Sequence, residues 1–248
     1  MADSRKHRGP HPHDPTFFHL QNRPALQTAV EHLAWLLSHG YNARSALKLV
    51  GDRFQLSDRQ RKAVIRSSCS DASLSRRERH RVGIADLAGR DLEIDGFNLV
   101  TTVEAALSGG VVLIGRDQVA RDMASMHGSY RKVTETGPAL QLVGEFLAHR
   151  SVGRVHWLLD RPVSNSGRLA QMIREFGTEN GWQWSAELVD DPDPLLKDSK
   201  QVVVTGDSVI LDGCERWVNL ARAVVAESVP DAWILNLASG GPSDKMAE

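Results

Sequence analysis

Apolar residues recur along the chain with two different periods. From Pro24, residues Leu26, Val30, Leu33, Ala34 and Leu37 follow at steps of three and four until His39-Gly40 closes the run. That spacing predicts a helix over 24–39. A second helix is expected over 43–50, and a third after Ser57, whose hydroxyl suits a helix N-cap. Residues 67–80 are polar, without an apolar stripe, and read as a linker or loop. Residues 1–20 carry Arg5-Lys6-His7-Arg8-Gly9-Pro10-His11-Pro12-His13-Asp14-Pro15, which predicts a flexible basic arm. His11, His13 and Asp14 could chelate a metal there, but the arm is the favoured reading.

Beyond Arg90, short apolar runs alternate with helical stretches. Strands are expected at 92–94, 111–114, 155–159, 182–189, 202–205 and 232–236, and helices at 99–108, 137–149, 166–180 and 215–227. Alternation of this kind implies an α/β domain over 88–237, a mainly parallel, Rossmann-like sheet covered by helices. A small all-helical module over 21–80 precedes it, and residues 238–248 form a loose tail. The six tryptophans fall mostly within periodic elements and are expected in the core.

Charge divides the chain at the same place. Residues 1–90 contain 16 Lys and Arg against 8 Asp and Glu, whereas residues 91–248 contain 14 against 23. A basic module ahead of an acidic one suggests contact with a polyanion, although a solvated basic surface explains the count equally well. No apolar run approaches the ~20 residues of a membrane span, and no apolar stretch follows the basic start as in a secretory signal. Cys69 and Cys214 have no neighbouring His or Cys, so neither a disulfide framework nor a cysteine zinc site is expected. A reducing cytoplasm is the expected compartment. The oligomeric state stays open, a homo-oligomer included.

In a parallel sheet, ligands collect beyond the C-terminal ends of the strands. Three expected strands end there in aspartate: Asp95-Gly96-Phe97-Asn98, Asp160, and Thr205-Gly206-Asp207-Ser208. Any one of them could be a helix cap. Together they would repel unless a cation lay between them, and oxygen donors suit Mg2+ or Mn2+. Such an ion can activate water against a phosphodiester.

These residues resemble the acidic pattern of PIN-like nuclease domains, especially the NYN branch, with its Asp-Gly-x-Asn turn and late Asp-Ser element. The chain as a whole, over 8–235, resembles the prokaryotic domain-of-unknown-function 434 family. Gly40-Tyr41, Leu49-Val50-Gly51-Asp52-Arg53 and Arg59-Gln60-Arg61 carry that likeness. The PIN resemblance implies a metal-dependent ribonuclease, with RNA as partner and Asp95, Asp160 and Asp207 as catalytic metal ligands. The Asp-x-Asp of many such nucleases is absent here; Asp212 and Glu104 are the candidates for a fourth acidic ligand, with water or Asn98 filling the coordination if neither reaches the site.

Other segments suit phosphate. Arg121, His127, Arg131 and Lys132 follow the second strand, and His127 could donate a proton, although an exposed, self-paired loop is an equal alternative. Ser164, Asn165, Ser166 and Arg168 open a helix whose free amides favour an anion, with Asn98 and Ser208 beside the aspartates. Two other classes compete with the nuclease: a catalytically inactive RNA- or protein-binding module, and a phosphatase or phosphotransferase using Asp95 as nucleophile.

Overall fold

A computed structural model of the chain describes residues 7–123, 130 and 132–238. Short helix α1 (Asp14–Phe17) leads into α2 (Arg23–Ser38), α3 (Ala43–Arg53), α4 (Asp58–Ser67) and α5 (Asp71–His80). Then come β1 (Leu92–Asp95), α6 (Gly96–Leu107), β2 (Val112–Ile114), β3 (Ala120–Asp122), α7 (Thr136–Ala148), β4 (Val155–Asp160) and α8 (Ser166–Asn180). The chain continues through β5 (Trp184–Val189), α9 (Pro192–Asp198), β6 (Val202–Val204), α10 (Ser208–Leu211), β7 (Trp217–Val218), α11 (Leu220–Ser228) and β8 (Ile234–Asn236).

Five strands form an all-parallel sheet in the order β5-β4-β1-β6-β7. Counted along the chain, that is the 3-2-1-4-5 order of doubly wound proteins, with its switch point beside β1. Side chains alternate between two buried faces. Ile94, Trp157 and Val204 share a core with α6, α7, α8 and α11, whereas Leu158 and Val203 meet Leu196, Ile210 and Leu211 of α9 and α10. Burial on both faces explains why these strands read as apolar runs.

A second sheet, β3-β2-β8, binds the two halves of the chain together. Leu113 packs into the helical bundle with Leu26, Val30, Leu33 and Val64, while Val112 and Ile114 face Ala106 of α6 and Val225 of α11. The helical module and the α/β unit are therefore adjacent along the chain but share a core in space. Burying each such Leu, Ile or Val contributes about 1.5–3 kcal/mol.

Several expectations need correction. Residues 7–20 are not a loose arm. Asp14 is fully buried and takes two hydrogen bonds from Arg59, while Arg8 bonds Glu104 in the interior. Residues 67–80 contain α5, capped by Ser70 through the Ser73 amide at 3.1 Å. It carries no apolar stripe because its one buried residue is Arg77, so periodicity could not reveal it. The expected helix at 215–227 begins late, because Trp217 and Val218 pair with Val203 and Val204 as β7. Strand β3 and helices α9 and α10 were not foreseen. Trp157 and Trp217 are core residues as expected, but Trp35 is 57% exposed.

The Arg8–Glu104 pair yields a test. Glu104 also accepts from Tyr130 Oη and Thr136 Oγ1, both at 2.6 Å, and burial still pushes its pKa up. Arg8→Ala should cost about 3–5 kcal/mol at pH 8, the usual loss when a buried carboxylate loses its partner. The loss should be smaller at pH 5 than at pH 8, because falling pH favours protonation of Glu104 and removes the stranded charge. Denaturant titrations at the two pH values measure both effects.

Candidate functional site

Strand order brings the three aspartates together. β4, β1 and β6 are neighbours, and their C-terminal ends open on a cleft of about 360 Å³. Asp95, Asp160 and Asp207 all line it, with Asn98, Gly206 and Ser208. Asp95 pairs in register with Leu158, so both it and Asp160 lie on the sheet face covered by α9 and α10. Asp193, near the start of α9, and Asp122 of β3 bring the carboxylates of the lining to five.

Local hydrogen bonds set each group. Asp95 caps α6 by accepting from the Asn98 amide at 3.4 Å, and its other oxygen accepts from Thr205 Oγ1 at 2.8 Å. The same hydroxyl oxygen accepts from the Asp207 amide at 3.0 Å, and Asn98 Oδ1 accepts from the Gly206 amide at 2.6 Å. Side chains thus staple the β1 and β6 turns together. Asp207 caps α10 through the Val209 and Ile210 amides. Gly96 lets α6 start hard against β4, since a Cβ there would lie 2.5 Å from Leu159 Cδ2.

Electrostatics in the cleft are unbalanced. Asp95 is 8% exposed, and burial pushes its pKa up to about 7 against the Thr205 hydrogen bond, with Asp207 and Asp160 adding to the rise. Burial also raises Asp160, with Asp191 contributing, and raises Asp193, with Asp207, Asp191 and Asp160 contributing. The lining also holds two arginines, each paired with an aspartate: Arg66 lies 3.6 Å from Asp122, and Arg121 bonds Asp117. Arg66 of α4 donates to the Asp122 carbonyl at 2.5 Å, and Asp122 Oδ2 accepts from Thr101 and Thr102. Arg121 is held by Asp117 at 2.9 and 2.6 Å and by the Gly206 carbonyl at 2.7 Å.

Beneath the cleft, Arg77 also donates to Asp117, at 2.5 Å, and reaches Asp212 at 2.7 Å and the Ser208 carbonyl at 3.2 Å. Burial alone would raise Asp117, but Arg121 and Arg77 outweigh it and hold its pKa at about 2.

Several expected site residues lie elsewhere. Neither candidate for the fourth acid lines the cleft: Asp212 is taken by Arg77 and Ser73, and Glu104 by Arg8, Tyr130 and Thr136. Nor do Ser164, Asn165, Ser166 and Arg168 line it. Asn165 adopts a left-handed backbone at φ 66° and spends its amide on the Tyr130 carbonyl, and Ser166 donates to the Arg161 carbonyl. Lys132 is exposed and outside the lining. His127 and Arg131 lie outside the described residues. Sequence reasoning missed Asp193, Asp122 and Arg66. The strand-end rule applied to β5 would have reached the acidic run 190–193, whereas nothing local marks Arg66.

Fold and cleft together define a doubly wound α/β protein with carboxylates gathered at the switch point of its sheet. Residues 84–223 match the family described as "Domain of unknown function (DUF5616)", and the chain belongs to that family. Ahead of it, residues 25–80 match "Protein of unknown function (DUF434)", so that likeness covers the helices rather than the whole of 8–235. An uncharacterized protein of Methanocaldococcus jannaschii is 32% identical over 187 residues, which span 75% of this chain and 89% of the relative. No solved structure matches the chain. Among the described residues, no helix is long and apolar enough to cross a membrane.

Two substitutions probe the site's framework. Thr205→Val removes a hydrogen bond that stabilises ionised Asp95, so the Asp95 titration followed by carboxyl NMR should move above about 7. An unchanged midpoint would show that the hydroxyl does not tune this carboxylate. Asp117→Asn should cost about 3–5 kcal/mol at pH 7, because Arg77 and Arg121 lose their shared anion. That stabilisation is complete above the ordinary carboxylate pKa and fades as pH falls toward about 2, so acid unfolding should start at lower pH in the wild type.

Proposed function

We propose that this protein is a metal-dependent phosphodiesterase that cleaves RNA. The observation that carries the reading is the gathering of Asp95, Asp160, Asp193 and Asp207 on one cleft, with Asp95 buried among like charges. Such crowding costs free energy that a divalent cation relieves.

The donors are all oxygen, which suits Mg2+ or Mn2+. Among the described residues, no three His, Cys, Asp or Glu side chains close into a direct ligand set. The cleft therefore fits an ion that keeps most of its water and is held by one or two carboxylates, the habit of Mg2+. Asp95 and Asp207, stapled through Thr205, are the residues that would hold it. When bound, the ion would polarise a phosphoryl oxygen and acidify a water. Arg66 attracts the phosphate from the cleft lining, Asn98 and Ser208 offer polar contacts, and Asp193 accepts the proton of the attacking water. The basic half of the chain neutralises neighbouring phosphates, so affinity should fall steeply with salt.

A second reading, an RNA- or protein-binding module without catalysis, is favoured by the same lack of a closed ligand set among the described residues. Cleavage of single-stranded and structured RNAs in Mg2+, Mn2+ or EDTA separates the two.

Asp95→Asn should abolish metal-dependent cleavage while stabilising the metal-free protein by about 2–4 kcal/mol at pH 8. The raised pKa means that the wild type loses stability as Asp95 ionises between pH ~4 and ~7, so the gain should vanish at pH 4. Mn2+ at a hundred times its Kd should raise wild-type stability by about 2.7 kcal/mol and that of the variant by less. Equal cleavage by the two proteins would place the activity elsewhere, and equal melting shifts with Mn2+ would remove the ion from this cleft.

A further inference from the structure

Trp35 is the most exposed of the six tryptophans, at 57%. It lies off the stripe of Leu26, Val30 and Leu33 that α2 buries in the bundle. Its indole stacks on His39 one turn later, with ring centres 4.0 Å apart and planes 29° from parallel. His39 Nδ1 sits 2.8 Å from the Trp35 carbonyl, which fixes that ring in place. Together with Leu36, Leu49 and Val50, Trp35 lines an open groove of about 680 Å³ between α2 and α3. Leu49 is 61% exposed, and Tyr41, in the connecting turn, is 55% exposed.

Helix α3, one wall of this apolar floor, carries more positive than negative charge. Arg53 lines the groove, and Arg44 and Lys48 are exposed on the same helix α3. Asp52 is taken by Lys48 and Arg61 at 2.6 and 2.7 Å, which leaves Glu31 as the acid lining the groove. Neither Arg44 nor Arg53 forms an ion pair with a carboxylate among the described residues.

We infer that this groove is a base-stacking site for single-stranded RNA. The inference rests on the proposed phosphodiesterase reading for the identity of its ligand. A nucleotide is a flat apolar plate on an anionic backbone, so it calls for an exposed aromatic platform with cations within reach. The Trp35–His39 stack supplies the platform, Arg53 supplies a cation in the groove, and Arg44 supplies a second further along α3. An apolar helix would use the floor but would make no use of the arginine in its lining. Helix α4 packs against α2 and α3 and carries Arg66 to the acidic cleft. One bundle therefore grips the strand and walls the place where it is cut.

The test uses the full chain in EDTA, so that the RNA stays intact, with a labelled twelve-nucleotide oligouridylate. Binding should quench tryptophan emission. Trp35→Ala should raise Kd about tenfold or more and remove most of the quench, whereas Trp35→Phe should keep most of the affinity. Arg44→Gln and Arg53→Gln should each reduce the salt slope by about 0.7. Matching melting curves would establish that these surface variants stay folded. Failure of the wild type to bind the oligonucleotide, or an unchanged Kd in Trp35→Ala, overturns the inference. So does a shift from dimer to monomer in Trp35→Ala at constant RNA affinity, which would make the groove an interface between copies. Cleavage assays keep the two readings apart. Cutting that does not depend on Trp35 for RNA affinity sinks the stacking site alone, and Trp35-dependent binding without cutting under any metal sinks the phosphodiesterase alone.

Discussion

A single buried carboxylate, Asp117, ties this structure together. It sits between Arg77 of α5 and Arg121 of β3, both themselves buried, so three parts of the chain meet at one compensated charge cluster. Arg77 goes on to Asp212 and the Ser208 carbonyl, and Arg121 to the Gly206 carbonyl. The turn carrying Asp207 is thereby gripped from both sides. An unpaired charge at that depth would cost several kcal/mol, so each member of the cluster constrains the position of the others.

That grip makes the composition of the cleft intelligible. Cations under the floor are spent on Asp117 and Asp212, and Glu104 is answered by Arg8 on the far side of α6. Among the described residues, the donors to Asp95 are neutral, the Thr205 hydroxyl and the Asn98 amide. Asp117, Asp212 and Glu104 are each answered by an arginine, whereas Asp95 at the switch point of the sheet accepts from neutral groups. This contrast, more than the number of aspartates, supports the proposed site.

The helical module is part of this arrangement. It shares a core with the small sheet through Leu113 and Leu235, sends Arg77 beneath the cleft, and presents Arg66 at its wall. For the proposed RNA ligand, attraction along the basic bundle would offset repulsion by the carboxylates.

Much of this was legible in the sequence. The spacing of Leu26, Val30 and Leu33 marks the core face of α2, and the apolar runs ending in Asp95, Asp160 and Asp207 mark strands carrying carboxylates to one rim. Local pattern suffices there, because burial on both faces forces apolar runs and sheet topology fixes where strand ends lie. Helix α5 stayed hidden because its buried residue is an arginine, which mimics a solvated surface until its acidic partners are known. Asp212 and Glu104 looked like ligands for the same reason, since a carboxylate's partners lie 135 and 96 residues away in Arg77 and Arg8. Arg66 and Asp193 reach the cleft only through packing of whole elements. The sequence by itself determined which strands carry charge and in what order they follow. The tertiary structure decided which of those charges are neutralised, because ion pairing depends on distance in space and leaves no period along the chain.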